Sequence, residues 1–188
     1  MIEKQVAAAS HLPSNVPPIL SLDDGLDAGV HLPFGFAHDY SRSRVGQGPA
    51  VFEAAKRAFE RWATFDIGWV RVANPQAPIA LGQVVAMEAH TFGLWTLNMS
   101  KIMRTLDDAN RFGFLYATTE MHVEQGEERF LLEFDTATGD VWYVLEAISR
   151  PRHALVRMSF PVARALQHRF ARDSHRRMRD EVLSTTSH

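Results

Sequence analysis

The sequence predicts an α+β domain in which a curved, seven-stranded antiparallel sheet packs on a long, kinked C-terminal helix. Three observations carry that expectation. Six apolar runs, each bounded by Gly, Pro, Asn or Asp, follow one another between Gly68 and Ser149. The links between them are too short for crossover helices, so neighbours pair as antiparallel hairpins in a meander. A helix-periodic, arginine-rich segment then closes the chain.

Residues 1–35 contain Pro13, Pro17, Pro18 and the acidic "SLDDGLDAG", with no sustained period of either kind. A flexible N-terminal arm is expected there, ordering only by docking onto the body, with Val16, Ile19 and Leu20 as its candidates for a groove. The domain itself is placed at 36–182, followed by a tail at 183–188. It begins with "HDYSRSRVGQG", an extended stretch ending in a glycine-rich turn. "PAVFEAAKRAFERWA" follows as a helix: Pro49 suits a first helical position, and Val51, Phe52, Ala55, Phe59 and Trp62 share a stripe opposite Lys56, Arg57, Glu60 and Arg61. The six strands are "GWVRVA", "GQVVAMEAHT", "GLWTLNMSKIM", "NRFGFLYATTEMHV", "ERFLLEFD" and "DVWYVLEAIS". A terminal helix is expected from about Arg152 to Val182, with Leu155, Ser159, Val162, Leu166, Phe170, Asp173 and Met178 on one side. Pro161 interrupts it, so a kink near Arg157 to Pro161, or two helices in sequence, is expected. Only this helix is long enough to fill the concave face of such a sheet, which makes the whole a helix-grip arrangement.

Composition sets further bounds. At 188 residues and 46% hydrophobic, the chain supports a single core with no need for a disulfide or metal staple. It has no cysteine, which removes disulfides, thiol nucleophiles and Cys-type metal sites and fits a cytoplasmic location. A formal charge of -2 gives no global reason to expect nucleic acid. No apolar run approaches the ~18 residues that would span a bilayer, and the start makes a poor signal peptide. No cofactor is expected.

Five short motifs, "GWVRV" at 68–72, "GLWTLN" at 93–98, "GEERF" at 126–130, "SRPRH" at 149–153 and "RFARDS" at 169–174, occur in order. With them, residues 38–178 resemble an uncharacterised family known as a domain of unknown function, DUF1990. That family is similar to the START and Bet v 1 (SRPBCC) superfamily, which implies a hydrophobic ligand held between a helix and a seven-stranded sheet. The resemblance implies no catalytic residues.

The segment "TTEMHVEQGEERF" sets His122 among carboxylates. Phe112, Phe114 and Tyr116 alternate on one strand, and Phe130, Leu132 and Phe134 on the next, so one buried face requires an odd loop. A three-residue loop, Glu124 to Gly126, satisfies this and pairs His122 with Glu128 and Glu120 with Phe130. Glu120, His122 and Glu128 then stand at the mouth of a cavity, as a solvated rim or as the polar end of a ligand site. One metal ion cannot take both Glu120 and Glu124, some 13 Å apart at ~3.4 Å per residue, and no metal is expected. Trp95, Leu97, Met99 and Met103 alternate against Thr96, Asn98 and Ser100; Asn98 becomes informative if its face turns inward. Glu88, Glu120 and Glu146 interrupt apolar strands and are expected to face water. Nine arginines between Arg150 and Arg179 against Asp173 alone make a basic helix end, open to an acidic partner or to the acidic arm of the same or another copy, which allows a homo-oligomer.

The leading expectation is non-covalent binding of a small hydrophobic or amphipathic molecule, with Glu120, His122 and Glu128 at its polar end. Trp95, Asn98, Phe112, Phe114, Tyr116, Leu155 and Val162 line the rest. The alternatives are an enzyme using the same pocket, with His122 or a carboxylate as acid or base, and an interaction module acting through the arginine-rich helix.

Overall fold

The computed structural model describes residues 2–16, 22, 32, 34–120, 122, 124–151 and 160–186. Seven strands form one antiparallel sheet: β1 (Ala37–Gln47), β2 (Val70–Val72), β3 (Val84–Thr91), β4 (Leu94–Asp107), β5 (Arg111–Thr118), β6 (Glu124–Phe134) and β7 (Asp140–Pro151). Their order is β1-β7-β6-β5-β4-β3-β2. From β2 to β7 this is the meander that the short links predict, and β1 closes the other edge by pairing with β7 from Ala37↔Ser149 to Gln47↔Asp140. Helix α1 spans Ile2–Ser10, α2 Pro49–Glu60 and α3 Phe160–Thr186. The sheet curls into a half-barrel around α2 and α3, the helix-grip arrangement.

Helix α2 forms where expected. Gly48 turns the chain at φ +94°, a left-handed value that favours glycine, and Pro49 opens the helix. Phe52, Ala55, Ala58 and Phe59 are buried on one stripe. The helix ends at Trp62, which takes the left-handed conformation (φ 58°) usually left to glycine at this position. Burial of the indole and the bond from its Nε1 to the Ala77 carbonyl at 2.8 Å hold it there. Phe59 then enters the sheet, its ring centroid 5.8 Å from Phe114 and 5.5 Å from Tyr143. Phe65, in the 3-10 turn that follows, reaches Phe130 at 5.1 Å and Phe170 of α3 at 5.5 Å. Each such ring contributes roughly 1.5–3 kcal/mol by burial, so α2 and its turn supply much of the core.

In α3, Pro161 lies in the first turn, where its missing N–H forfeits no intrahelical bond. The expected start near Arg152, Leu155 and most of the expected kink fall on 152–159, outside the described residues. Met178 and Val182 are buried in the core and Phe170 packs beside it. The arginines of α3 are largely engaged within the chain: Arg164 with Asp39, Arg169 and Arg176 with Asp173, and Arg177 with Glu181.

Three sequence expectations are corrected. No element was foreseen before residue 36, yet α1 lies there; its apolar residues Ile2, Val6 and Ala9 pack on Val84, Ala86 and Met99 on the convex side of the sheet. That helix also decides how β4 faces. Met87↔Asn98 and Val85↔Ser100 place Asn98 and Ser100 on the concave side, whereas Leu97 and Met99 turn outward to meet α1, and Trp95 on the same outer row is 54% exposed. Trp95 is therefore not part of the concave wall. The β5–β6 pairing has the expected parity but a different register. Phe114 faces Phe130 and Phe112 faces Leu132, so the aromatic rows do share the concave face, but Glu128 faces Tyr116, six residues before His122. Glu124, Gln125 and Gly126 are not a turn; they begin β6 and pair with β7. The reason is non-local. Beyond Ala117 the two strands splay, the Thr118 hydroxyl takes the Gly126 N–H at 2.9 Å, and Ser14 and Asn15 enter, Asn15 N donating to Thr118 O at 3.0 Å.

Candidate functional site

The concave face changes character along its length. Under α2 it is aromatic and filled. Toward the far end of β3, β4, β5 and β6 it carries Met87, Asn98, Ser100, Tyr116 and Glu128, and the alternation of side chains in these strands aims all five to the same side. Tyr116 is the hinge between the two parts. Its ring lies 5.4 Å from that of Phe130, which stacks on Phe114 at 5.0 Å, while its hydroxyl donates to Glu128 Oε2 and stands 3.7 Å from Met87 Sδ. An aromatic wall thus ends directly in a phenol–carboxylate pair.

Two further groups at this end lack partners among the described residues. Asn98 Oδ1 and Ser100 Oγ are buried, and among the described residues no group hydrogen-bonds to either. Ser100 is wholly enclosed, at 0% exposure. Nearly all buried polar atoms in folded proteins are paired, because an unpaired one costs about 1–3 kcal/mol, so two such atoms side by side call for an explanation. Neighbouring Thr118 shows the ordinary outcome: its hydroxyl is shared among Asn15 Oδ1 at 2.6 Å and the Gly126 backbone.

Of the residues that the sequence nominated, Asn98, Phe112, Phe114, Tyr116 and Glu128 lie on the concave face. Glu120 is an exposed turn residue and His122 a half-buried bend residue whose N–H donates to Thr119 O at 3.1 Å, so the strand pairing does not bring them opposite Glu128. Val162, in the first turn of α3, is 42% exposed. Ser100 and Met87 were not nominated; the only sequence signal for them is the alternation with Asn98 and Val85, which says nothing of which side is concave.

A second polar cluster fastens α3 to the sheet edge. His175 is buried, with Ser41 Oγ 2.8 Å from its Nε2 and Ser43 Oγ 2.7 Å from its Nδ1, both serines on β1. Burial, and secondarily the charge of Arg179, hold its pKa down at about 4. The imidazole is therefore neutral, donating to one serine and accepting from the other. Beside it the Tyr143 hydroxyl lies 2.8 Å from Ser174 Oγ, and burial pushes that phenol's pKa up. With both ring nitrogens occupied by hydroxyls, this is a latch between helix and strand. On the convex side Glu146, expected to face water, is only 2% exposed and is held between Arg129 and His38, the latter at 2.9 Å. Glu88 pairs with Arg71 at 2.7 Å. Among the described residues no group of three or more His, Cys, Asp or Glu is placed to hold a metal ion.

Comparison with known proteins agrees with this architecture. A family model described as "Domain of unknown function (DUF1990)" matches residues 23–177. A UPF0548 protein of Dictyostelium discoideum is 33% identical over 160 residues, covering 79% of this chain and 74% of that protein. Among solved structures, TTHA0849 of Thermus thermophilus superposes with a TM-score of 0.55 at 12% identity, covering 79% of this chain and 99% of that one. The Zhui aromatase/cyclase of a Streptomyces species does so with a TM-score of 0.54 at 15% identity, covering 78% and 93%. At such identities the likeness to the two structures speaks for the fold.

Proposed function

We propose, because this chain belongs to the DUF1990 family and has the helix-grip fold, that it binds a small, mainly apolar molecule non-covalently between the concave face and the C-terminal helix. The observation that carries this reading is the Tyr116–Glu128 pair. It is set where an aromatic wall ends, and small-molecule sites combine apolar walls with a few placed polar groups in just this way. The apolar part of the ligand lies along Phe130 and Met87, and its polar end meets Glu128 and the groups around it. A helix-grip relative described as an aromatase/cyclase keeps catalysis as a second reading, in which the hydrogen-bonded phenol and carboxylate act as an acid–base pair. The arginines of α3 give an interaction module less support, since carboxylates of the same chain engage several of them.

Native mass spectrometry of freshly purified protein tests the proposal. The expected result is a retained small molecule that is released on unfolding, with Tyr116→Phe weakening its retention about tenfold, the value of one hydrogen bond. Repeated absence of any adduct, from several expression hosts, counts against it.

A further inference from the structure

Resting on that reading, we infer that Asn98 and Ser100 anchor the ligand's polar group and that this group is a neutral hydroxyl rather than an anion. Both residues sit on the concave side of β4, aligned through Met87↔Asn98 and Val85↔Ser100. Both present a buried atom without a partner among the described residues, Asn98 Oδ1 and Ser100 Oγ. Alternate residues of a strand are about 7 Å apart along its axis, somewhat more than two hydrogen bonds span, so one oxygen reaches both once the two side chains lean toward it and open room for it.

The chemistry of the two atoms selects that oxygen. Asn98 Oδ1 only accepts, whereas the Ser100 hydroxyl can donate or accept. A group that satisfies both donates one hydrogen bond and accepts another, and a hydroxyl does so. An ionised carboxylate or phosphate has no hydrogen to give Asn98 Oδ1, and even with the amide turned to offer its Nδ2, the Glu128 carboxylate on the same face opposes a second negative charge. An ammonium supplies hydrogens but has no lone pair to take the Ser100 hydrogen, and it would carry a charge in among Val85, Met87 and Ile102, apolar neighbours that do not solvate it. The orphan atoms are thus the unfilled half of a recognition pair. The pairing also accounts for the cost of keeping them, since apolar residues at both positions would remove an unpaired burial.

Isothermal titration with four probes that share one skeleton tests this near neutral pH: naphthalene, 2-naphthol, 2-naphthoate and 2-naphthylmethylammonium. The wild-type protein is expected to prefer 2-naphthol over naphthalene by about tenfold or more, the worth of one or two hydrogen bonds, and to bind both charged probes more weakly than either. In Ser100→Ala, and in Asn98→Leu or the smaller change Asn98→Ser, the preference for the naphthol should fall to about threefold or less while naphthalene binding is kept. Equal affinity for naphthalene and 2-naphthol, the result if a water fills the gap, overturns the anchor and leaves the pocket standing. Tighter binding of the naphthoate or of the ammonium overturns the hydroxyl assignment. If no probe binds at all, the pocket reading itself fails. The wild-type ranking needs no variant, so an unfolded mutant does not blunt the test.

Discussion

At one end of the concave face Phe59 and Phe65 project into rows of phenylalanine and tyrosine and fill the space between them. At the other end, on the same strands, Ser100 and Asn98 bury oxygens that no described residue satisfies, beside a carboxylate joined to a phenol. Both ends are buried, but the first is packed ring on ring, whereas the second sets unsatisfied polar atoms among its apolar side chains. The difference teaches that stability and recognition are separated along the strands: one sheet serves both because α2 covers only part of it.

The largest test of this contrast lies at the filled end. Phe59→Ala removes a fully buried ring touching Phe112, Phe114 and Tyr143, and a loss of about 3–5 kcal/mol is expected in urea unfolding. A smaller loss would mean that the filled end is looser than its ring contacts imply. The next largest concerns the latch that holds α3 to β1. The pKa of His175 is lowered in the folded protein to about 4 from the ordinary 6.5. The unfolded chain therefore takes up the proton first as the solution is acidified. The latch's contribution is complete above about pH 6.5 and is lost as the pH falls toward 4, a span worth roughly 3 kcal/mol. Denaturant midpoints measured at both pH values should converge in His175→Gln relative to the parent; parallel losses in the two proteins would show that the histidine titrates freely. The smallest effect has the opposite sign. Ser100→Ala removes a buried hydroxyl that has no partner among the described residues, so the ligand-free protein should gain about 1 kcal/mol, seen as a modest rise in Tm. A loss there would erase the contrast, because it would make Ser100 part of the packing.

Much of the fold was legible. Strand number, meander order, the α2 stripe and the parity that unites Phe112, Phe114 and Phe130 all follow from local periodicity and link length. The candidate site was legible only in part. Asn98, Tyr116 and Glu128 were nominated, but Tyr116 was placed on the wall and Glu128 beside His122, because the register depends on Ser14 and Asn15 entering between strands more than a hundred residues away. Trp95 was misplaced for a related reason. An alternating strand has two faces, and its pattern cannot say which is concave when a helix from the other end of the chain supplies an apolar cover for the convex one.

By itself, then, the sequence determined the elements, their antiparallel order and the aromatic character of one sheet face, since those depend on periodicity and on the reach of short connections. Only the tertiary structure decided which side of β4 turns inward, where the β5–β6 ladder ends and which polar atoms are left unpaired. Those outcomes come from contacts between segments far apart in the chain, and no local pattern encodes the partner that a buried oxygen fails to find.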